Sequence, residues 1–179
     1  MANTIQGLDS TIGIAPYITG SSKRYITHPA LTSLTDGTDT ACDDGGRYWC
    51  SVFVPVNVTL TGIGYLVGSV GGTDKVIAEL KDSSGASLAN SALAGATVGT
   101  LATFQEVAFT ATVAVPGPAW YYLVLQFNGA TAKFRTIPAN LGTSQVAIAN
   151  TAAGTFGTLA AITPGTTFVA GKGPIAYTY

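Results

Sequence analysis

Charge is what this sequence has least of. Only 9% of its 179 residues are Asp, Glu, Lys or Arg, against about a quarter in an ordinary globular domain. Extra core residues do not fill the gap, because the apolar fraction of 47% is ordinary. Thr, Ser, Gly and Ala take the place of the charges. A net charge of −1 argues against the basic patch that phosphate binding requires, so nucleic acid is not an expected partner. Histidine occurs once, as His28, beside nine acids, which is a thin inventory for acid–base catalysis. Long apolar runs are missing as well. Stretches such as Ala119–Leu125 fall far below the ~18 residues of a membrane span, so no membrane partner is expected. The opening Met1–Gly7 has neither the basic start nor the apolar core of an export signal, and none is expected.

Aromatic residues are plentiful, with 8 Tyr, 7 Phe and 2 Trp, which sets disorder aside. A surface so poor in charge is hard to keep soluble as a monomer, so copies of the chain or a partner are expected to cover much of it. The length fits one domain with an arm. Residues 1–45 read as that arm, extended, with a short strand over Gly13–Thr19 and turn chemistry at Leu34–Asp39. Residues 46–179 read as a β-sandwich or jelly roll, best supported over 46–137. Val56, Val58 and Leu60 alternate with polar residues, and the phase flips at Gly62 so that Ile63, Tyr65 and Val67 continue on the other parity, the mark of a bulge or bend.

Further along, Lys75–Lys81 is expected to bury Val76, Ala78 and Leu80 and to turn Lys75, Glu79 and Lys81 outward. Asp82–Gly85 is a hairpin turn. Phe104–Val115 and Trp120–Phe127 are strands, Pro116–Pro118 is a stiff turn between them, and Asn128-Gly129 predicts a hairpin back into Thr131–Ile137. Gln145–Ala149 reads as a strand or short helix, and Thr167–Val169 and Ile175–Tyr179 as final strands. Many short strands and almost no helix place the chain in the all-β class.

Few residues carry chemistry. His28 precedes Pro29 without a partnered nucleophile in view and reads as structural. Cys42 and Cys50 flank the turn Asp43–Gly46 and read either as a disulfide or as two buried thiols. Asp36, Asp39, Asp43 and Asp44 lie close enough in sequence to be weak calcium candidates, although they lack the EF-hand order. Glu79 and Glu106 are the pair a glycosidase would need, but Glu79 sits in an outward Lys-Glu-Lys row, where a cross-strand salt bridge is the simpler reading. No cofactor is implied. Tyr48, Trp49, Trp120, Tyr121 and Tyr122 cannot all face one core, because neighbours on a strand alternate. Trp49, Trp120 and Tyr122 are therefore the candidate surface aromatics, placed to stack on a sugar or to bury in an interface.

The run Asp74–Ala89 looks like a strand–turn–strand of jelly-roll domains. Phe104–Phe109 followed by Pro116–Leu123, with Phe53–Val56 and Phe134–Ile137, is similar to the matching strands of carbohydrate-binding-module-like sandwiches. Together the pattern, over residues 46–137, resembles such domains in tailed-phage structural proteins. The resemblance implies a head decoration (cement) protein, a head fibre or a tail-fibre module, and it carries over no catalytic residue.

The leading expectation is a capsid decoration protein made in the host cytoplasm and carried on the outer surface of the virion. Its partners would be the major capsid protein and copies of itself, as a trimer or dimer, with the arm lying along capsid subunits. The alternative is a sugar-binding module of a head or tail fibre, using Trp120 or Tyr122 beside Gln126 and Asn128 to hold a glycan. An enzyme such as a polysaccharide hydrolase is the poorest fit.

Overall fold

The computed structural model describes residues 24–27, 37–137 and 148–179. The strand expected at Gly13–Thr19, His28, Asp36 and residues 145–147 lie outside these. All regular structure among the described residues is strand: β1 (Tyr25–Ile26), β2 (Thr38–Ala41), β3 (Arg47–Val54), β4 (Val58–Leu66), β5 (Lys75–Lys81), β6 (Ser87–Asn90), β7 (Ala96–Thr97), β8 (Phe104–Val115), β9 (Ala119–Phe127), β10 (Lys133–Thr136), β11 (Ala149–Ala152) and β12 (Ala176–Thr178).

One sheet has the order β1-β12-β4-β8. The facing sheet has the order β11-β3-β9-β5-β6, with β7 added to β5, and β10 and β2 form a separate two-stranded ribbon, bridged to the end of β4 through Val67↔Phe134. All strand pairs are antiparallel. The chain crosses between the two main sheets at β3–β4, β4–β5, β7–β8, β8–β9 and β11–β12 and stays within one from β5 through β6 to β7. With β1 and β12 closing one sheet beside β4, this is the strand order of a jelly roll. Part of the stretch read as an arm is woven into this body. β1 pairs with β12, and β2 pairs with β10.

The core lies between the sheets. Tyr48, Val52 and Val54 of β3, Val76, Ala78 and Leu80 of β5, and Leu123, Leu125 and Phe127 of β9 meet Leu60, Ile63 and Tyr65 of β4 and Val107 and Phe109 of β8. Phe127 is stacked on Phe134 at 5.1 Å, and Tyr48 meets Phe134 edge-on at 4.8 Å. The phase flip at Gly62 is a register jump, from Leu60↔Val113 to Gly62↔Ala108. Across it, Leu60 and Ile63 both reach the core despite their unlike parity.

The expected hairpin at Asn128-Gly129 does not form. β10 pairs with β2, not with β9. Asn128 Oδ1 accepts the Lys75 N–H (2.6 Å), and Asp74 Oδ2 accepts the N–H groups of Thr131 (2.8 Å) and Ala132 (2.7 Å). These side-chain bonds compete with the tight turn and direct the chain away from β9.

Candidate binding surface

The outer face of the β3-β9-β5 sheet is built in rows fixed by strand register. The first row is Arg47–Gln126–Ile77, the second Trp49–Val124–Glu79, the third Ser51–Tyr122–Lys81, and the last Phe53–Trp120. Alternation alone sends all of these outward. What decides their exposure is the C-terminal segment, which crosses the first three rows. Arg47 Nη1 donates to the Ala160 carbonyl (2.7 Å). Gln126 Nε2 donates to the Thr155 carbonyl (2.9 Å), and its Oε1 accepts the Gly157 N–H (3.1 Å). Ile162 packs on Trp49, Tyr122 and Val124, with its N–H bonded to the Gly85 carbonyl (3.2 Å). Ile148 and Ser51 exchange backbone and hydroxyl bonds at the third row.

Two of the three expected surface aromatics are therefore corrected. Trp49 is 2% exposed and Tyr122 5%; they face away from the main core but lie under a second, smaller one. Glu79 and Lys81 are corrected with them. They point outward as expected, yet the covering segment buries both, and Lys81 Nζ meets Glu79 Oε1 at 2.6 Å.

Trp120 stays at the surface, 41% exposed, and its register partner Phe53 is 44% exposed. Their ring centroids stand 5.2 Å apart with the planes tilted by 50°. Phe53 was not singled out as a surface aromatic. The signal lay in its parity, shared with Trp49 on β3, and in its place opposite Trp120. Around the pair stand exposed Val56 and the β5–β6 turn, where Asp82 Oδ1 accepts bonds from the Ser84 N–H and hydroxyl and from the Ala86 N–H, leaving Ser83 exposed. At the same end of the sandwich, on the other sheet, Asn57, Thr59, Ala114 and Pro116 border an open concavity of about 450 Å³. There Asn57 Oδ1 accepts the Gly117 N–H (2.9 Å) and ties the β3–β4 and β8–β9 connections together.

The remaining candidates are dispersed. Asp39 is bound by the Ser69 N–H and hydroxyl and lies 3.5 Å from Lys133 and 3.8 Å from Arg135. Its burial alone would raise the carboxyl pKa, but the Ser69 bonds and the two cations outweigh that and hold it below the usual value. Asp43 accepts the Tyr48 hydroxyl (2.7 Å), and Asp44 is exposed. Asp39, Asp43 and Asp44 are not brought together as a calcium site: no group of three or more possible metal ligands occurs among the described residues, and Asp36 lies outside them.

Of the two readings of the cysteines, the structure has the free thiols. Cys42 packs in the main core and Cys50 in a separate cluster with Leu66, Ile137 and Ile175. Burial pushes both thiols up to about 12, helped at Cys42 by the Asp74 charge. The disulfide is therefore corrected. Glu106 lies on the β8 side of the other sheet, accepting Arg24 Nη2 (2.9 Å) and the Tyr177 hydroxyl (2.8 Å), so it forms no carboxylate pair with Glu79. No protein-family model matches the chain, and no curated protein or solved structure matches it.

Proposed function

We propose that this chain is a non-enzymatic binding protein of a tailed-phage particle, a capsid decoration protein that docks through the Phe53–Trp120 end of its jelly roll. The observation that carries this reading is the bare last row on a face whose other rows are all covered by the chain itself. An uncovered aromatic pair on a rigid sheet end suits an interface anchor. Aromatic residues dominate such anchors, and each ring removed from water contributes about 1.5–3 kcal/mol. The low charge of the chain fits a surface meant to be covered, and repeated copies on a shell would add avidity. The test is Trp120→Ala and Phe53→Ala, both at exposed positions. Each is expected to leave the melting temperature nearly unchanged and to weaken co-sedimentation with undecorated heads at least tenfold. Undiminished head binding by the double variant would refute the docking role.

A second reading, a sugar-binding module of a fibre, is favoured by one specific feature. The exposed Ser83 lies in the turn beyond Lys81, the strand end that flanks Trp120. A hexose stacked on Trp120 would find polar neighbours there. Glycan-array binding that disappears in Trp120→Ala, with no binding to heads, would select this reading over decoration.

A further inference from the structure

Sheet edges need protection, because their unpaired backbone groups invite another strand. Three of the four edges of the two main sheets are short or covered. β1 has 2 residues and β6 has 4. β11 carries the 168–169 segment on its outer side, where Val169 N–H donates to the Ala149 carbonyl (2.9 Å). β8 is different. It has 12 residues and pairs only with β4. Among the described residues, no backbone hydrogen bond from residues 105–115 runs to any segment except β4. From Val107 to Val115 there is neither a charge nor a proline, two of the usual guards of an edge. At the bulge, Phe109–Thr112 have no register partner on β4. The bond from this stretch to the opposite sheet is made by a side chain, Thr110 Oγ1 to the Asn90 carbonyl (3.0 Å), so it consumes no backbone group of the β8 edge.

The residue order of this edge is close to its own mirror image. About Ala111, Thr110 mirrors Thr112, Phe109 mirrors Val113, Ala108 mirrors Ala114, and Val107 mirrors Val115. Antiparallel strands related by a two-fold axis pair each residue with the mirror position of the other copy. A second copy would therefore set threonine on threonine, alanine on alanine and apolar on apolar. Glu106, the one charge of the strand, would fall opposite Pro116 at the far end, well away from its symmetry mate.

We propose that β8 is a self-association strand, and that two copies pair antiparallel through Val107–Val115 about a two-fold axis at Ala111. The two β1-β12-β4-β8 sheets then become one continuous sheet. The proposal deepens the assembly reading above and rests on it for the choice of a second copy as the occupant.

The test needs no phage particle. Sedimentation equilibrium of the full chain is expected to show a dimer. Ala111→Lys and Ala111→Glu each place like charges across the axis and are expected to give monomers of unchanged melting temperature, while their equimolar mixture regains the dimer. Ala111→Cys is expected to cross-link two chains on mild oxidation, because directly opposed residues lie within disulfide reach. A monomeric wild type, or a dimer unaffected by both charge variants, would overturn the proposal, as would failure of Ala111→Cys to cross-link should a charge variant unfold. Head binding without a dimer removes this inference alone, and a dimer without head binding removes only the decoration reading.

Discussion

At the scale of single residues, the outward-pointing polar side chains of β3, β5 and β9 belong to a second interior. Arg47 and Gln126 tie the covering segment through its backbone, and Glu79 and Lys81 neutralise each other beneath it. A buried ion pair is a weak source of net stability, but removing one partner strands the other charge. Glu79→Gln is therefore expected to cost ~3–5 kcal/mol, read as a fall in denaturant midpoint. Replacing both residues together, Glu79→Leu with Lys81→Met, is expected to cost far less. Equal losses in the single and double variants would show that the pair is not buried as described. Sequence alternation placed Glu79 and Lys81 on the correct face. It could not tell solvent from a covering segment, because residues 153–165, which do the covering, are mostly Gly, Thr and Ala, with only Phe156, Leu159, Ile162 and Pro164 among them and no strand alternation.

At the scale of elements, glycine decides how the two outer faces differ. On β4, Gly62 and Gly64 form a floor for the rings of Tyr179 and Tyr177, and a Cβ at either position would strike the tyrosine above it. Tyr177 has no room to retreat. Its hydroxyl is bonded to Glu106, the Arg24 guanidinium lies 4.7 Å above its ring, and Phe104 stands 5.1 Å away. Gly64→Val is expected to destabilise the fold by about 1–3 kcal/mol through overpacking, with a matching drop in melting temperature; an unchanged melting temperature would mean that Tyr177 does not lie on that floor. The bulge at Gly62 was legible in the sequence as a change of parity, since the apolar pattern itself had to shift by one residue. The false hairpin at Asn128-Gly129 shows the opposite case. A strong local turn signal lost to hydrogen bonds accepted by the Asn128 and Asp74 side chains, partners whose meeting depends on the position of β5.

At the scale of the whole molecule, the strands of the jelly roll were legible from period-two patterning and turn residues, whereas its closure was not. The pairing of β1 with β12 and of β2 with β10 joins residues from opposite ends of the chain. No local signal encodes such contacts. Thr27, within the stretch that reads as an arm, accepts the Ala176 N–H (3.0 Å) and donates its hydroxyl to the Pro174 carbonyl (2.9 Å), so this part of the stretch belongs to the body. The candidate site followed the same division. Trp120 was legible as an exposed aromatic, while Trp49 and Tyr122 shared its parity and were lost to the covering segment. Among the described residues, one aromatic row at one end and one long edge along β8 are left bare. The central claim, that this chain is a decoration protein of a phage head, is tested most directly by quantitative mass spectrometry of the purified phage particles that encode it. The account predicts a copy number on the scale of the major capsid protein. A particle that lacks the chain, or carries it only in the few copies of a tail component, would contradict it.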